Sequence, residues 1–321
     1  RTYTATSSQG VTYMHENLFV AAGSRLPIVM SIVNRFVGAP QALGPDQGDS
    51  LDQRDTGWIQ IYAENAQEVH DLLIQAFRIA EDKQVLTPVA ICHEGIIISH
   101  KMQPVQLADQ DEVNAFLPPY RPEHAVLDPS RPMTHGIFAM DATYPTEYRY
   151  QQQTAMDNAK TVIDEVDGEY GQRFGRRYGG LIATEMMEGA EVALVAMGTL
   201  CTAARTVVKK LRKEKNCPVG LVKVRAFRPF PDEALRNCLS GVKAIAVLDR
   251  NVSVGSSGIV YGELSRCLNA RIRPLIVDYI LGLGGREVTE QDIENIAMQV
   301  FDERDNEGVS NPIRWYQLRE A

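Results

Sequence analysis

Thr4, Ala5, Thr6, Ser7, Ser8, Gln9 and Gly10 set small and hydroxyl side chains and a glycine between a strand-like run and a helix-like run. At the carboxyl end of a strand in an open α/β sheet, such a turn lies where ligands bind. The helix start behind it presents unpaired N–H groups and the positive end of a dipole. The same residues also suit a plain helix cap, with Ser7 or Ser8 as the capping hydroxyl. Arg35 follows an apolar strand at 28–34 and so should reach the same rim. A guanidinium there can hold a small carboxylate through two parallel hydrogen bonds. It can equally be satisfied by a surface ion pair with Asp46, Asp49, Asp52 or Asp55.

Other groups carry less chemistry. His93, Glu94 and His100 have metal-ligating side chains, but loops beside strands often carry them and no third ligand is spaced to match, so no metal site is expected. Gly282-Leu283-Gly284-Gly285 follows a strand as a dinucleotide loop would, yet Glu287 breaks the G-x-G-x-x-G rule, and a helix-start turn is expected instead. Asp249-Arg250-Asn251, with Gly255 and Gly258, ends another strand and is expected to make domain or subunit contacts. Cys92, Cys201, Cys217, Cys238 and Cys267 are an odd number, far apart and without C-x-x-C spacing, which reads as buried free thiols in a reducing compartment.

The elements that must position these residues alternate. A strand at 2–5, a helix carrying Val11, Met14, Leu18, Phe19 and Ala22, and a strand at 28–33 make a βαβ start. A strand at 58–62, a helix opened by Asn65 with Glu68 as a capping box, and a strand at 88–92 continue it. Seven prolines punctuate residues 103–145, which are expected to form an ordered arm packed on a partner chain. A polar helix at 148–174 leads to Gly179 and Gly180. Strands at 192–197, 220–224, 244–248 and 275–279 then alternate with helices at 203–213, 232–239, 260–268 and 290–301, the pattern of a parallel sheet covered by helices.

Length and composition agree with two globular domains: 321 residues, 44% hydrophobic and 23% charged. The net charge of -8 is spread along the chain, which argues against nucleic acid or an anionic membrane as the main partner. No apolar run is long enough to span a bilayer and no signal-peptide succession opens the chain, so a cytoplasmic location is expected. Arg1 stands first and strand begins at once, so the residues are expected to start inside a domain.

Several motifs occur in order. Thr4 to Gly10 followed by Met14-His15-Glu16, Leu26-Pro27-Ile28-Val29-Met30 leading to Asn34-Arg35, and Gln53-Arg54-Asp55-Thr56-Gly57-Trp58-Ile59-Gln60 resemble the pyrimidine-binding domain of pyruvate:ferredoxin oxidoreductases. Val224-Arg225-Ala226-Phe227-Arg228-Pro229-Phe230-Pro231, Asp249-Arg250-Asn251 and Gly282-Leu283-Gly284-Gly285-Arg286 resemble that family's second domain, which is similar to the carboxyl-terminal domain of transketolases. The resemblance runs over nearly the whole chain. It implies an α/β fold: a thiamine-diphosphate-binding, pyrimidine-type parallel-sheet domain over 1–187, including the Pro-rich arm, then a transketolase C-terminal-like α/β domain over 188–321.

It also implies the alpha subunit of an enzyme that decarboxylates pyruvate oxidatively to acetyl-CoA, or runs the reverse synthesis, with ferredoxin as electron partner. In that family thiamine diphosphate is shared with a beta subunit that holds the diphosphate and Mg2+. The [4Fe-4S] clusters lie on partner subunits, including ferredoxin-like gamma and delta chains, and coenzyme A is co-substrate. Carried over, Arg35 takes the carboxylate of the 2-oxoacid, and Thr6, Ser8 and Gln9 lie beside the cofactor. The family's activating glutamate and the threonine of its Tyr-Pro-Ile-Thr-Pro segment lie upstream of this turn, so these residues taken strictly are expected to lack the activating carboxylate. Two alternatives remain: the same scaffold acting on a branched, aryl or oxalate substrate, with residues 36–40 shaping the pocket, and a non-catalytic assembly subunit.

Overall fold

Parallel strands need crossovers, and amphipathic helices supply them in both halves of the chain. The structure, a computed structural model, describes residues 1–122, 126–136, 142, 144–268, 274–306 and 308–319. Part of the expected arm, at 123–125, 137–141 and 143, lies outside the described residues. In the first half the order is β1 (Thr2–Thr6), α1 (Gln9–Tyr13), α2 (His15–Gly23), β2 (Ile28–Asn34), α3 (Gly48–Leu51), β3 (Ile59–Tyr62), α4 (Ala66–Ala80), β4 (Val89–Glu94), α5 (Gln110–Phe116) and α6 (Tyr144–Phe174). The second half adds β5 (Ile182–Glu185), β6 (Val192–Ala196), α7 (Leu200–Glu214), β7 (Val219–Val224), β8 (Ala226–Arg228), α8 (Asp232–Cys238), β9 (Ala244–Asp249), α9 (Ile259–Leu268), β10 (Leu275–Ile280), α10 (Glu290–Glu303) and β11 (Ile313–Trp315).

One sheet runs β1-β2-β4-β3-β8, the other β11-β10-β9-β6-β7-β5. Each is parallel except at one edge, where β8 lies antiparallel to β3 and β5 antiparallel to β7. Those two antiparallel edges and the parallel edge strand β11 depart from the expected pattern. With three or four residues each, they are too short to show a hydrophobic period. The single helix expected through Val11 and Ala22 is instead two, meeting at Met14.

The sheets are stitched together by the chain itself. β7 belongs to the second sheet and β8 to the first, with only Arg225 between them. A shared core follows, joining Met30, Trp58 and Tyr62 to Val195, Val222 and Phe227. Each such side chain, fully buried, contributes about 1.5–3 kcal/mol.

A buried ionic seam lies beside that core. Lys223 Nζ is 2.6 Å from Glu68 Oε2 and 3.1 Å from Glu64 Oε2, and Arg225 Nε donates to Glu68 Oε1 at 3.0 Å. Arg205 forks onto Glu64 from α7. Burial pushes the Glu64 carboxyl up, but Arg205 and Lys223 outweigh it and hold the group at about 2. Glu68 therefore does more than cap a helix. Asn65 does accept from Glu68 N at 2.9 Å, yet the Glu68 carboxylate takes the Glu64 N–H rather than that of the cap residue, and spends its remaining capacity across the seam.

Candidate active site

Thr6 of β1 stands opposite Ile32 of β2 in a parallel pair, so the turn at 6–10 and Arg35 leave the sheet on the same carboxyl rim. Hydrogen bonds then join them. Ser7 Oγ donates to Val33 O at 2.7 Å and accepts from Arg35 Nε at 2.7 Å. Ser8 Oγ lies 2.8 Å from Phe36 O and 2.7 Å from Gln9 Oε1. Neither hydroxyl caps α1, so the plain helix-cap reading of these serines does not describe them.

Asp49 is the residue that sequence reasoning undervalued. It is fully buried at the first turn of α3. Oδ2 accepts from Ser8 N at 2.8 Å and Arg35 N at 3.1 Å, while Oδ1 accepts from Asn34 Nδ2 and Ser50 N at 2.7 and 2.8 Å. One carboxylate thus ties the turn after β1 to the end of β2. Ser8 needs that tie: its φ of 50° lies in the left-handed region, where a side chain costs about 1–3 kcal/mol. Burial raises the Asp49 carboxyl to about 6, against the four donors that lower it. The legible signal was Asn34 beside the strand end together with Gly48-Asp49-Ser50, a group of turn-forming and hydrogen-bonding types.

Arg35 has its backbone, not its guanidinium, on Asp49. Among the described residues no carboxylate lies within ion-pair distance of that guanidinium, so the expected alternative of a surface salt bridge to Asp46, Asp49, Asp52 or Asp55 is not what the fold builds. The half-buried group is held by Ser7 with its other nitrogens free of carboxylate. Thr6 is half-buried, Gln9 and Gly10 are exposed, and a Cβ at Gly10 would sit 2.7 Å from Thr6 Oγ1. The turn is thus closely packed on itself at Gly10 and Thr6, with exposed backbone and polar side chains of the type that can hydrogen-bond the edge of a heteroaromatic ring. Among the described residues no group of three or more His, Cys, Asp or Glu converges as a metal site.

The second domain reaches this rim. Glu94, at the end of β4, accepts from Gln47 Nε2 and from Thr199 N at the start of α7, both at 2.9 Å, and Arg250 Nη1 lies 3.9 Å away. Gln47 N donates to Arg250 O at 3.0 Å. Glu94 and Arg250 are thus spent on the domain contact. His93 is buried, and burial lowers its imidazole to about 4, so it is neutral. His100 is exposed and pairs with Ser99.

Two α/β units, one presenting a polar rim at the carboxyl ends of its strands and the other bracing it, make a two-domain α/β protein of the kind in which a ligand is held at a sheet's carboxyl edge. Residues 1–168 match the family described as "Pyruvate flavodoxin/ferredoxin oxidoreductase, thiamine diP-bdg" and residues 190–293 match "Pyruvate:ferredoxin oxidoreductase core domain II". The pyruvate synthase subunit PorA of Pyrococcus furiosus is 43% identical over 321 residues, 99% of this chain and 80% of that protein. The ketoisovalerate oxidoreductase subunit VorA of Pyrococcus horikoshii is 44% identical over 320 residues, with the same shares. Among solved structures, the 2-oxoglutarate:ferredoxin oxidoreductase of Magnetococcus marinus shares the fold with a TM-score of 0.62 at 17% identity, over 93% of this chain and 53% of that one. The chain belongs to the pyruvate:ferredoxin oxidoreductase family, as an alpha subunit of the PorA type in a multisubunit 2-oxoacid:ferredoxin oxidoreductase. No helix among the described residues is long and apolar enough to cross a membrane.

Proposed function

We propose that this subunit binds a short 2-oxoacid, pyruvate first, and presents it to thiamine diphosphate shared with a beta subunit. The observation that carries this is the half-buried Arg35 guanidinium, braced by Ser7 and without a carboxylate among the described residues, at the rim beside Ser8. Thr6, Ser8 and Gln9 line the aminopyrimidine side. When bound, the cofactor supplies the nucleophilic carbon and the electron sink for decarboxylation. Arg35 contributes orientation: two N–H groups fix the substrate carboxylate before attack, and the group it holds then leaves as neutral carbon dioxide, the bonding electron pair remaining with the rest of the substrate. Asp49 keeps the Ser8 and Arg35 backbones in register throughout. The diphosphate, Mg2+ and the [4Fe-4S] clusters belong to the beta, gamma and delta chains, with coenzyme A and ferredoxin as the remaining reactants, in the cytoplasm.

A branched 2-oxoacid is the second reading, favoured by identity to a ketoisovalerate subunit equal to that for pyruvate subunits. Viologen reduction by the assembled complex, with thiamine diphosphate, Mg2+ and coenzyme A over a panel of 2-oxoacids, separates the two. Arg35→Ala in that complex should abolish most turnover while assembly persists. Unchanged turnover would reject the substrate role and leave an assembly subunit.

A further inference from the structure

The loop that follows Arg35 is closed and then clamped from the second domain. Phe36 N donates to Gly44 O at 3.2 Å, closing residues 36–44 into a loop whose start carries the Ser8 contact. Against it sits the turn at 282–285, at the carboxyl end of β10. The contact is backbone on backbone. A Cβ on Gly44 would overlap the Gly284 carbonyl and lie 2.5 Å from Gly285 Cα, and a Cβ on Gly285 would lie 2.7 Å from Gly44 Cα. The Phe36 ring packs over the same turn, 3.7 Å from where a Gly284 Cβ would be. Gly284 N reaches Asp46 Oδ2 at 3.4 Å, and Gly282 lies against the buried Arg250. Backbone surfaces this close cannot yield by side-chain rotation, so any added atom must move one turn or the other.

We propose that the Gly44–Gly285 contact is a positioning element for the 2-oxoacid. The second domain sets where the 36–44 loop rests and thereby where Arg35, at its root, meets the substrate carboxylate. This rests on the reading of Arg35 given above. The ligand affected most is the 2-oxoacid, because Arg35 is the root of the loop, while Phe36 O meets the cofactor side only through the Ser8 hydroxyl.

The test is steady-state kinetics of the assembled complex carrying Gly44→Ala or Gly285→Ala, with Arg35→Ala alongside. Gly44 is the cleaner probe, since its backbone is not in the left-handed region, whereas Gly285 has φ 91°. The expected result is a rise of about tenfold or more in KM for the 2-oxoacid, with KM for coenzyme A unchanged, as a displacement near 1 Å costs up to about 100-fold. A purely structural lesion would lower the active fraction and leave both KM values alone. Should both glycine variants fail to assemble, Asp46→Asn, which weakens the Gly284 contact, must show the same selective rise in smaller degree. Unaltered 2-oxoacid KM in the variants that assemble overturns the proposal. If Arg35→Ala also leaves turnover intact, the site reading itself has failed; if only the glycine variants are silent, the clamp alone is wrong.

Discussion

The ionic seam between the sheets and the rim around Arg35 use the same kinds of side chain to opposite ends. In the seam, Glu64, Glu68, Lys223 and Arg225 are all under a tenth exposed and each carboxylate meets at least two cations or donors. At the rim, the carboxylate of Asp49 is spent on backbone N–H groups and the Asn34 amide, and the neighbouring guanidinium meets no carboxylate among the described residues. Charge that is matched inside the chain specifies how the halves fit. Charge left without an internal partner beside a pre-built turn does not specify the fold in that way, and it is on this difference that the proposed substrate role of Arg35 rests.

The largest expected effect lies in the seam. Glu68→Gln leaves Lys223 and Arg225 buried without their shared partner and should cost about 3–5 kcal/mol. Thermal melting of the complex would show it, with KM for the 2-oxoacid unmoved in the fraction that stays folded. A small melting shift would erase the distinction between the regions. Arg35→Ala should do the reverse, lowering kcat/KM by about 100-fold or more, roughly 3 kcal/mol of transition-state stabilisation, at an unchanged melting temperature.

Asp49→Asn comes next, because an amide cannot accept all four hydrogen bonds at once. A loss of about 1–3 kcal/mol in stability is expected, together with a raised 2-oxoacid KM. Stability without a kinetic change would place Asp49 with the seam rather than the rim.

The last effect is a pH dependence, seen only away from the site. Burial, and then the charge of Asp249, push the Asp278 carboxyl up to about 8. Because the folded protein holds that proton more tightly than the unfolded chain, this pair's contribution to stability falls as pH rises from about 4 to about 8 and is level beyond. Asp278→Asn supplies a permanent donor and should flatten that fall in denaturant titrations across this range. An unaltered slope would mean that the two carboxylates do not share a proton.

Much of the architecture could be read from residues alone, because β6 is a continuous apolar run, β9 is one up to its final Asp249, and amphipathic helices flank them. Arg35 was legible for a similar reason: the residue after a strand must reach the carboxyl rim. What escaped was non-local. Nothing near Asp49 in sequence says that Ser8 will lie on it, and nothing in Asn65 to Glu68 says that the glutamate's partners stand at 223 and 225. The short edge strands were invisible too, since three residues carry no period and their place depends on which sheet has an open edge.

The crossing at Arg225 also bears on how the protein is made. The first sheet's fifth strand is supplied by residues 226–228, long after β3, the strand it pairs with, has left the ribosome. Until then the edge of β3 stands open, a template for pairing with another chain. The first sheet therefore has its full set of strands only once the second domain is under way. Its last strand arrives with the second sheet half built, β5, β6 and β7 having come before it, so the cover for that open edge is made by the second half of the chain.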